Sequence, residues 1–151
     1  MKKKVYVLAH NIRSMHNIGS IFRTSDGAGV KKIYLTGYCA CPPRKEITKT
    51  ALGAEKAVPW EFYKDPVDII KKLKKDGVQI IALERTKKSS NIQKIKPKYP
   101  LCMIIGNEID GVGEDLLKLS DKVVEIPMRG KKESLNVSVA FGVGVYALVN
   151  D

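Results

Sequence analysis

The chain has 151 residues, 44% hydrophobic and 28% charged, enough for one core and one domain of ordinary size. Its apolar runs, such as Val78 to Leu83 and Leu101 to Ile105, fall far short of the ~20 residues a membrane-spanning helix needs. With 27 Lys+Arg against 16 Asp+Glu the net charge is +11, which points to a polyanionic partner, nucleic acid first, with a solvated lysine-rich surface as the plainer alternative.

The basic start Met1 to Lys4 leads into an apolar run, Val5 to Ala9. About five apolar residues are too few for the roughly 7–15 of a signal-peptide core, so the run reads as a first strand. Asn17 to about Ala28 has helical periodicity, with Asn17 a natural N-cap. Ile18, Ile21, Phe22, Ser25 and Gly29 fall on its core face. Gly19, Arg23 and Gly27, spaced by four, form a second stripe. That stripe either admits another backbone, a subunit or a polyanion beside Arg23, or is a frayed helix end with a surface arginine.

Ile33 to Thr36 predicts a second strand, and Gly37 to Thr48 a loop. The loop holds Cys39 and Cys41; with Cys102 they make an odd count, which fits a reducing cytoplasm better than a disulfide framework. No Cys or His pair follows at zinc spacing, so the pair reads as free thiols and no metal is expected. His10 and His16 lack a Ser or Cys partner in context, so no hydrolytic triad emerges. Thr50 to Ala57 predicts one short helix ended before Pro59, and Pro66 to Lys75 an amphipathic helix stopped by Gly77. Gln79 to Leu83 is a strand, Arg85 to Pro100 a basic loop, and Leu101 to Ile105 a buried strand. Glu114 to Leu119 predicts a helix, Val123 to Ile126 a strand, and Ser134 to about Val149 a final helix capped by Ser134. That helix is apolar nearly all round, with Gly142 and Gly144 inside it, so it is buried in the domain or at a subunit interface.

Strands alternating with helices predict an α/β fold, a parallel sheet covered on both faces. Ligands in such sheets sit beyond the carboxyl ends of the strands, here Leu83-Glu84, Gly106 and Ile126. Glycine at 106 permits close approach to the backbone; Glu108 beyond it either faces the cleft or serves a following helix. Ser134 and Asn136 either satisfy loop backbone or meet a ligand carboxylate, with the plain N-cap as the simpler reading of Ser134. No phosphate loop of the Gly-Lys-Ser/Thr type is present, and Gly27-Ala-Gly29 ends a helix, so it is no dinucleotide fingerprint.

Three segments gain meaning from their order. Asn17-x-Gly19-x-x-x-Arg23-Thr24 comes first; Ile105-Gly-Asn-Glu108 with Gly111 second; Ile126-Pro-Met128 with Ser134-Leu-Asn136 and Ala140 third. Leu52-Gly-Ala-Glu55 lies between the first two. This series resembles the motifs of the SpoU/TrmH family of RNA ribose 2′-O-methyltransferases over nearly the whole chain. The resemblance implies S-adenosylmethionine as methyl donor, a ribose 2′-hydroxyl of RNA as acceptor, a C-terminal trefoil knot and a homodimer. It implies a cofactor lying against Leu83, Gly106, Ile126, Met128, Ser134 and Leu135, with Asn17, Arg23, Glu108 and Asn136 around the reacting centre.

The chain opens at its first strand and closes with its last helix, so a single methyltransferase domain, 1–151, without an appended RNA-binding domain is expected. RNA, tRNA slightly favoured over rRNA, would then meet the catalytic domain itself, at Arg13, Arg44, Lys45, Lys49, Arg85, Lys87 and Lys88, unless those charges are merely solvated. The rival readings are an RNA-binding domain with a vestigial cofactor pocket and a flavodoxin-like nucleotide-binding regulator. Arg23 and Asn136 weigh against the first; the charge and the missing phosphate loop weigh against the second.

Overall fold

Alternating strands and helices build one parallel sheet over residues 3–149, which the computed structural model describes. Its strands are β1 (Val5–His10), β2 (Lys32–Thr36), β3 (Trp60–Tyr63), β4 (Gln79–Leu83), β5 (Ser90–Asn91), β6 (Leu101–Ile105) and β7 (Lys122–Glu125). Their order across the sheet is β3-β2-β1-β6-β4-β7-β5, all pairs parallel. The helices are α1 (Met15–Ala28), α2 (Lys45–Ala51), α3 (Ala54–Ala57), α4 (Pro66–Lys75), α5 (Glu114–Leu119) and α6 (Val137–Val149). No helix of the described residues is long and apolar enough to cross a membrane.

Two-sided burial explains the apolar runs. Every residue of β6 is buried. Leu101, Met103 and Ile105 face a core shared with Ile18, Ile21 and Phe22 of α1, Ile47 of α2, and Phe141, Val145 and Leu148 of α6. Cys102 and Ile104 face the opposite core, with Ile69, Ile70 and Leu73 of α4 and Leu116 of α5. Each such side chain contributes about 1.5–3 kcal/mol when fully buried.

Several local expectations need correction. Ser14 rather than Asn17 caps α1: its Oγ accepts the Asn17 N–H at 3.1 Å. Gly29 is not on the core face; it is an exposed left-handed C-cap with φ 75°. Part of the expected loop before Thr48 is α2, because Ile47 and Ala51, one turn apart, are both buried. The helix expected from Thr50 to Ala57 breaks at Leu52 and Gly53, whose φ values are 52° and 93°. β3 is an edge strand with no fully buried residue, so it shows no continuous apolar run. Short β5, followed by a 3-10 turn at Ile92–Lys94, sits inside the expected basic loop. β7 starts one residue before the expected strand, and α6 starts at Val137 rather than Ser134.

The small residues of α1 and α6 serve packing within the chain. A Cβ on Gly19 would overlap Thr50 and the Ile47 carbonyl, so this glycine lets α2 cross against α1. Gly144 is buried, and a Cβ there would stand 3.2 Å from Leu83 Cδ2 and 3.4 Å from Met103 Sδ. It therefore faces its own sheet and is not available to a second subunit. Exposed apolar surface on α6 belongs instead to Val139, Val143 and Tyr146, which are 52%, 45% and 51% accessible.

Candidate active site

The carboxyl ends of β4, β6 and β7 bound a cleft of about 470 Å³. Leu83, Gly106, Ile126, Met128, Ser134 and Leu135, the six residues expected against a cofactor, all line it. Glu108 joins them from the loop after β6, and Val137 and Ala140 from the start of α6. Among the described residues, no backbone group between Ile126 and Leu135 bonds to another backbone group outside regular elements. Ile126, Pro127 and Met128 are half-buried. Ile126 and Met128 line the cleft beside Leu83 and Leu135, and the segment lies beyond the end of β7, Glu125.

The loop after β6 is held by a polar network. Asn107 is 8% exposed and satisfies both ends of its amide. Its Nδ2 donates to the Asn11 carbonyl at 2.9 Å and to Tyr38 Oη at 2.6 Å. Its Oδ1 accepts from the N–H groups of Ile109, 2.8 Å, and Asp110, 2.9 Å. The loop then returns, with Asn107 and Gly111 exchanging two backbone hydrogen bonds of 3.2 and 2.9 Å. Glu84, at the end of β4, accepts from Val112 N at 2.8 Å and so clamps the loop's far side. A Cβ on Gly106 would overlap the Gly111 carbonyl and lie 2.6 Å from Val112 N. Close approach at Gly106 is thus first an approach of the protein to itself.

Glu108 ties this loop to the first motif. Its Oε1 accepts from Arg13 N at 2.9 Å, and its Oε2 from Ser14 N at 2.8 Å and Asn17 Nδ2 at 3.1 Å. Partial burial pushes its carboxyl up, but the donors from Arg13, Ser14 and Asn17 outweigh this and hold it below the usual range. The carboxylate thereby compensates the start of α1 and fixes the Asn17 side chain. The helix it serves is not the following one, α5, but α1, whose start lies more than 90 residues earlier, and Glu108 lines the cleft as well. Deeper in, His10 Nδ1 is 2.9 Å from Thr36 Oγ1, and burial lowers its pKa against the pull of Asp115 and Asp65.

The remaining expected residues are spread out. Asn136 is exposed at the head of α6, where its Oδ1 accepts from Ser138 N at 3.0 Å and Ser138 Oγ at 2.7 Å; it caps the helix, the role sequence reasoning gave to Ser134. Arg23 is exposed and lines a separate groove of about 560 Å³ with Ser20, Thr24, Gly27, Lys49, Thr50 and Tyr146. That groove shares no residue with the cleft. Ala140 of the cleft and Tyr146 of the groove are six residues apart on α6, ~9 Å of helix rise. Within one chain, Arg23 is not brought to the cleft.

Arg13, Arg44, Lys45, Lys87 and Lys88 are exposed. Arg85 is also exposed, but its Nη1 donates to the Glu133 carbonyl at 3.2 Å and its Nε lies 3.7 Å from Glu125 Oε2, which binds the β4 loop to the segment before α6. Asn107, Glu84 and Tyr38 were not assigned a role from sequence. Only the strand-end rule, which singled out Leu83-Glu84, pointed toward one of them. Glu55 of the Leu52-Gly-Ala-Glu55 segment is buried on α3, with Oε1 unbonded among the described residues. Cys39 is buried too: its Sγ accepts from Ile12 N at 3.2 Å and donates to the Ala9 carbonyl at 3.3 Å, and burial pushes the thiol up to about 11, which makes it unreactive at neutral pH.

Comparison with known proteins accounts for this arrangement. The family model described as the SpoU rRNA Methylase family matches residues 4–146. The tRNA (guanosine(18)-2′-O)-methyltransferase of Aquifex aeolicus is 36% identical over 146 residues, covering 96% of this chain and 68% of that protein. The enzyme of the same name from Escherichia coli K12 is 29% identical over 140 residues, and the match spans 93% of this chain but only 60% of that protein. Among solved structures, the AdoMet-bound rRNA methyltransferase from Sinorhizobium meliloti superposes with a TM-score of 0.91 at 28% identity, over 98% of this chain and 56% of that one. By family match, identity and fold, the chain belongs to the SpoU rRNA Methylase family.

Proposed function

We propose that this chain transfers a methyl group from S-adenosylmethionine to a ribose 2′-hydroxyl of RNA, with tRNA favoured over rRNA. The single observation that carries the reading is the shared cleft: residues from three separate strand ends, expected together on motif grounds, line one cavity of about 470 Å³. The names of the relatives support the reaction, and the tRNA preference follows the Aquifex relative at 36% identity.

The cleft suits the cofactor chemically. Leu83, Ile126 and Leu135 offer apolar walls for a flat base, and the peptide groups of Ile126 to Met128 offer hydrogen bonds to its edge. When bound, S-adenosylmethionine supplies an electrophilic methyl group on a sulfonium. The residues around it supply alignment and charge. Glu108 fixes Asn17 and the start of α1 at the mouth of the cleft. The guanidinium of Arg23, a planar fork of donors, holds a phosphate of the RNA and stabilises negative charge on the 2′-oxygen as its proton passes to water and the thioether product leaves.

Arg23 needs help to reach that oxygen. A homodimer supplies it: a second copy seated on Val139, Val143 and Tyr146 covers exposed apolar surface next to the Arg23 groove. In this reading the basic surface of the dimer holds the RNA, through Arg13, Arg44, Lys45, Lys49, Lys87 and Lys88, in the cytoplasm. The reading also carries the trefoil knot. Its support is the crossed order, with β6 between β1 and β4, β7 beyond β4, and α6 returning to pack on α1.

The test is direct. Calorimetry with S-adenosylmethionine should give saturable binding. RNA from a strain lacking the gene should accept tritiated methyl groups that map to ribose 2′-oxygens. Saturable binding without transfer to tRNA or rRNA would overturn the enzymatic reading.

A further inference from the structure

A second concavity of about 540 Å³ adjoins the cleft, lined by Arg13, Tyr38, Asn107, Ile109 and Asp110. Three of these, Asn107, Ile109 and Asp110, also line the cleft, so the two spaces meet across the loop after β6. Tyr38 and Ile109 are large apolar groups left 56% and 78% accessible at this spot.

Tyr38 is exposed but held. Its backbone N–H donates to Asn11 Oδ1 at 3.0 Å, and its hydroxyl accepts from Asn107 Nδ2 at 2.6 Å. Asn11 takes a positive φ of 56° to make this possible, and a Cβ on neighbouring Gly37 would overlap its Oδ1. Both ends of the tyrosine are therefore tied down while its ring stays open. A ring kept for core packing would be buried, and a solvated surface tyrosine would be free to rotate. A fixed, open ring beside a second apolar side chain is the surface on which a planar base stacks.

We propose that Tyr38, with Ile109 beside it, is a stacking platform for a base of the RNA substrate at or next to the methylated nucleotide. The charge of the site favours a base over a phosphate: Arg13 and Asp110 line it together, one cation and one anion, so an anionic group gains little there. They offer a donor and an acceptor to the edge of a ring instead. The net charge of +11 brings the polyanion to the surface, and the shared residues Asn107, Ile109 and Asp110 put the platform on the rim of the cleft. The inference rests on the methyl-transfer reading and adds a residue that selects or orients its RNA.

The experiment compares wild type with Tyr38→Ala, Tyr38→Leu and Tyr38→Phe, using total RNA from a strain lacking the gene. Steady-state methyl transfer gives kcat and the KM for RNA, fluorescence anisotropy gives RNA affinity, and calorimetry gives S-adenosylmethionine affinity. The alanine and leucine variants should raise the RNA KM by about 5- to 100-fold with cofactor affinity unchanged. Phenylalanine, which keeps the ring and loses the bond to Asn107, should restore most of it. The leucine variant guards against a folding artefact of the smaller residue. Unchanged RNA affinity and KM in all three variants overturns the platform. So does equal loss in phenylalanine and alanine, which would assign Tyr38 to holding the loop through its hydroxyl. Failure of the wild type to bind cofactor or transfer methyl groups would overturn the enzymatic reading instead. In that case the anisotropy series alone still decides whether the ring binds RNA.

Discussion

Replacing Glu108 by glutamine tests the architecture of the site most sharply. Three donors converge on this carboxylate, the N–H groups of Arg13 and Ser14 and the side chain of Asn17. Glutamine keeps one acceptor oxygen and turns the other into an amide that faces an N–H, so one backbone bond at least is lost. Hydrogen bonds to a charged group contribute about 1.5–3 kcal/mol each. Loss of the charge near the start of α1 removes about 0.3–1 kcal/mol more. Glu108 is half-buried, so water replaces part of this, and we expect about 2 kcal/mol of destabilisation, roughly 4–8 °C in Tm for a chain of this size. The pH dependence identifies the cause. The folded carboxyl is held below its usual range, so its contribution is complete above the unfolded value of about 4.3 and is lost as pH falls through the folded one. Denaturant unfolding of the two proteins should show a gap at neutral pH that narrows below about pH 4.3. Methyl transfer should fall further than cofactor affinity, because Asn17 loses its tether. A gap that persists undiminished into acid, or no gap at all, would refute the charge-based account of Glu108.

Arg23→Ala should leave S-adenosylmethionine affinity nearly intact in calorimetry while lowering methyl transfer by about 10²–10³-fold. Arg23→Lys should recover little of that rate, since a point charge does not reproduce the guanidinium fork. Gly106→Ala should lower Tm and weaken cofactor binding together, by about 1–3 kcal/mol of overpacking against the Gly111 carbonyl; a variant of normal Tm that fails to bind would return Gly106 to direct ligand contact. Val143→Lys should convert a dimer to monomers in sedimentation at unchanged helix content, with turnover lost. Gly144→Val should instead destabilise the fold by about 1–3 kcal/mol, read as a lower Tm, because its side chain meets Leu83 and Met103 of the same subunit.

Much of the fold is legible because two-sided burial writes itself as apolar runs. β1, β4 and β6 show such runs, and the strand-end rule then marks the cleft. β3 escapes because an edge strand with half-buried Trp60, Glu61 and Tyr63 alternates with nothing. α2 escapes because its seven residues bury only Ile47 and Ala51, a pattern no longer than one turn. The partners of Glu108 lie 91 to 95 residues before it, a pairing that local periodicity does not encode. The glycines mislead in a consistent way. Sequence marks a close approach at Gly106 and puts Gly144 in a helix buried in the domain or at a subunit interface, but not against what: in both cases it is this chain's own backbone or side chains.

The site divides its labour in space, and this bears on why the proposed dimer matters. Groups that would hold a cofactor are gathered at the strand ends and around the first turn of α6, in Leu83, Ile126, Leu135 and Ala140. The loop beside them is already saturated: Asn107, Glu84 and Glu108 spend their polar atoms on backbone and on Tyr38 and Asn17. Such groups make a rigid frame and leave little for proton or charge management. The charged group suited to that task, Arg23 of α1, stands apart from the cleft, in a groove that shares Tyr146 with the exposed apolar stripe of α6. In the proposed dimer, covering that stripe and completing the chemistry are one requirement. A single chain exposes Val139, Val143 and Tyr146 to water and leaves Arg23 apart from the cleft; the proposed dimer answers both, by covering the stripe and setting the second copy's cleft against Arg23.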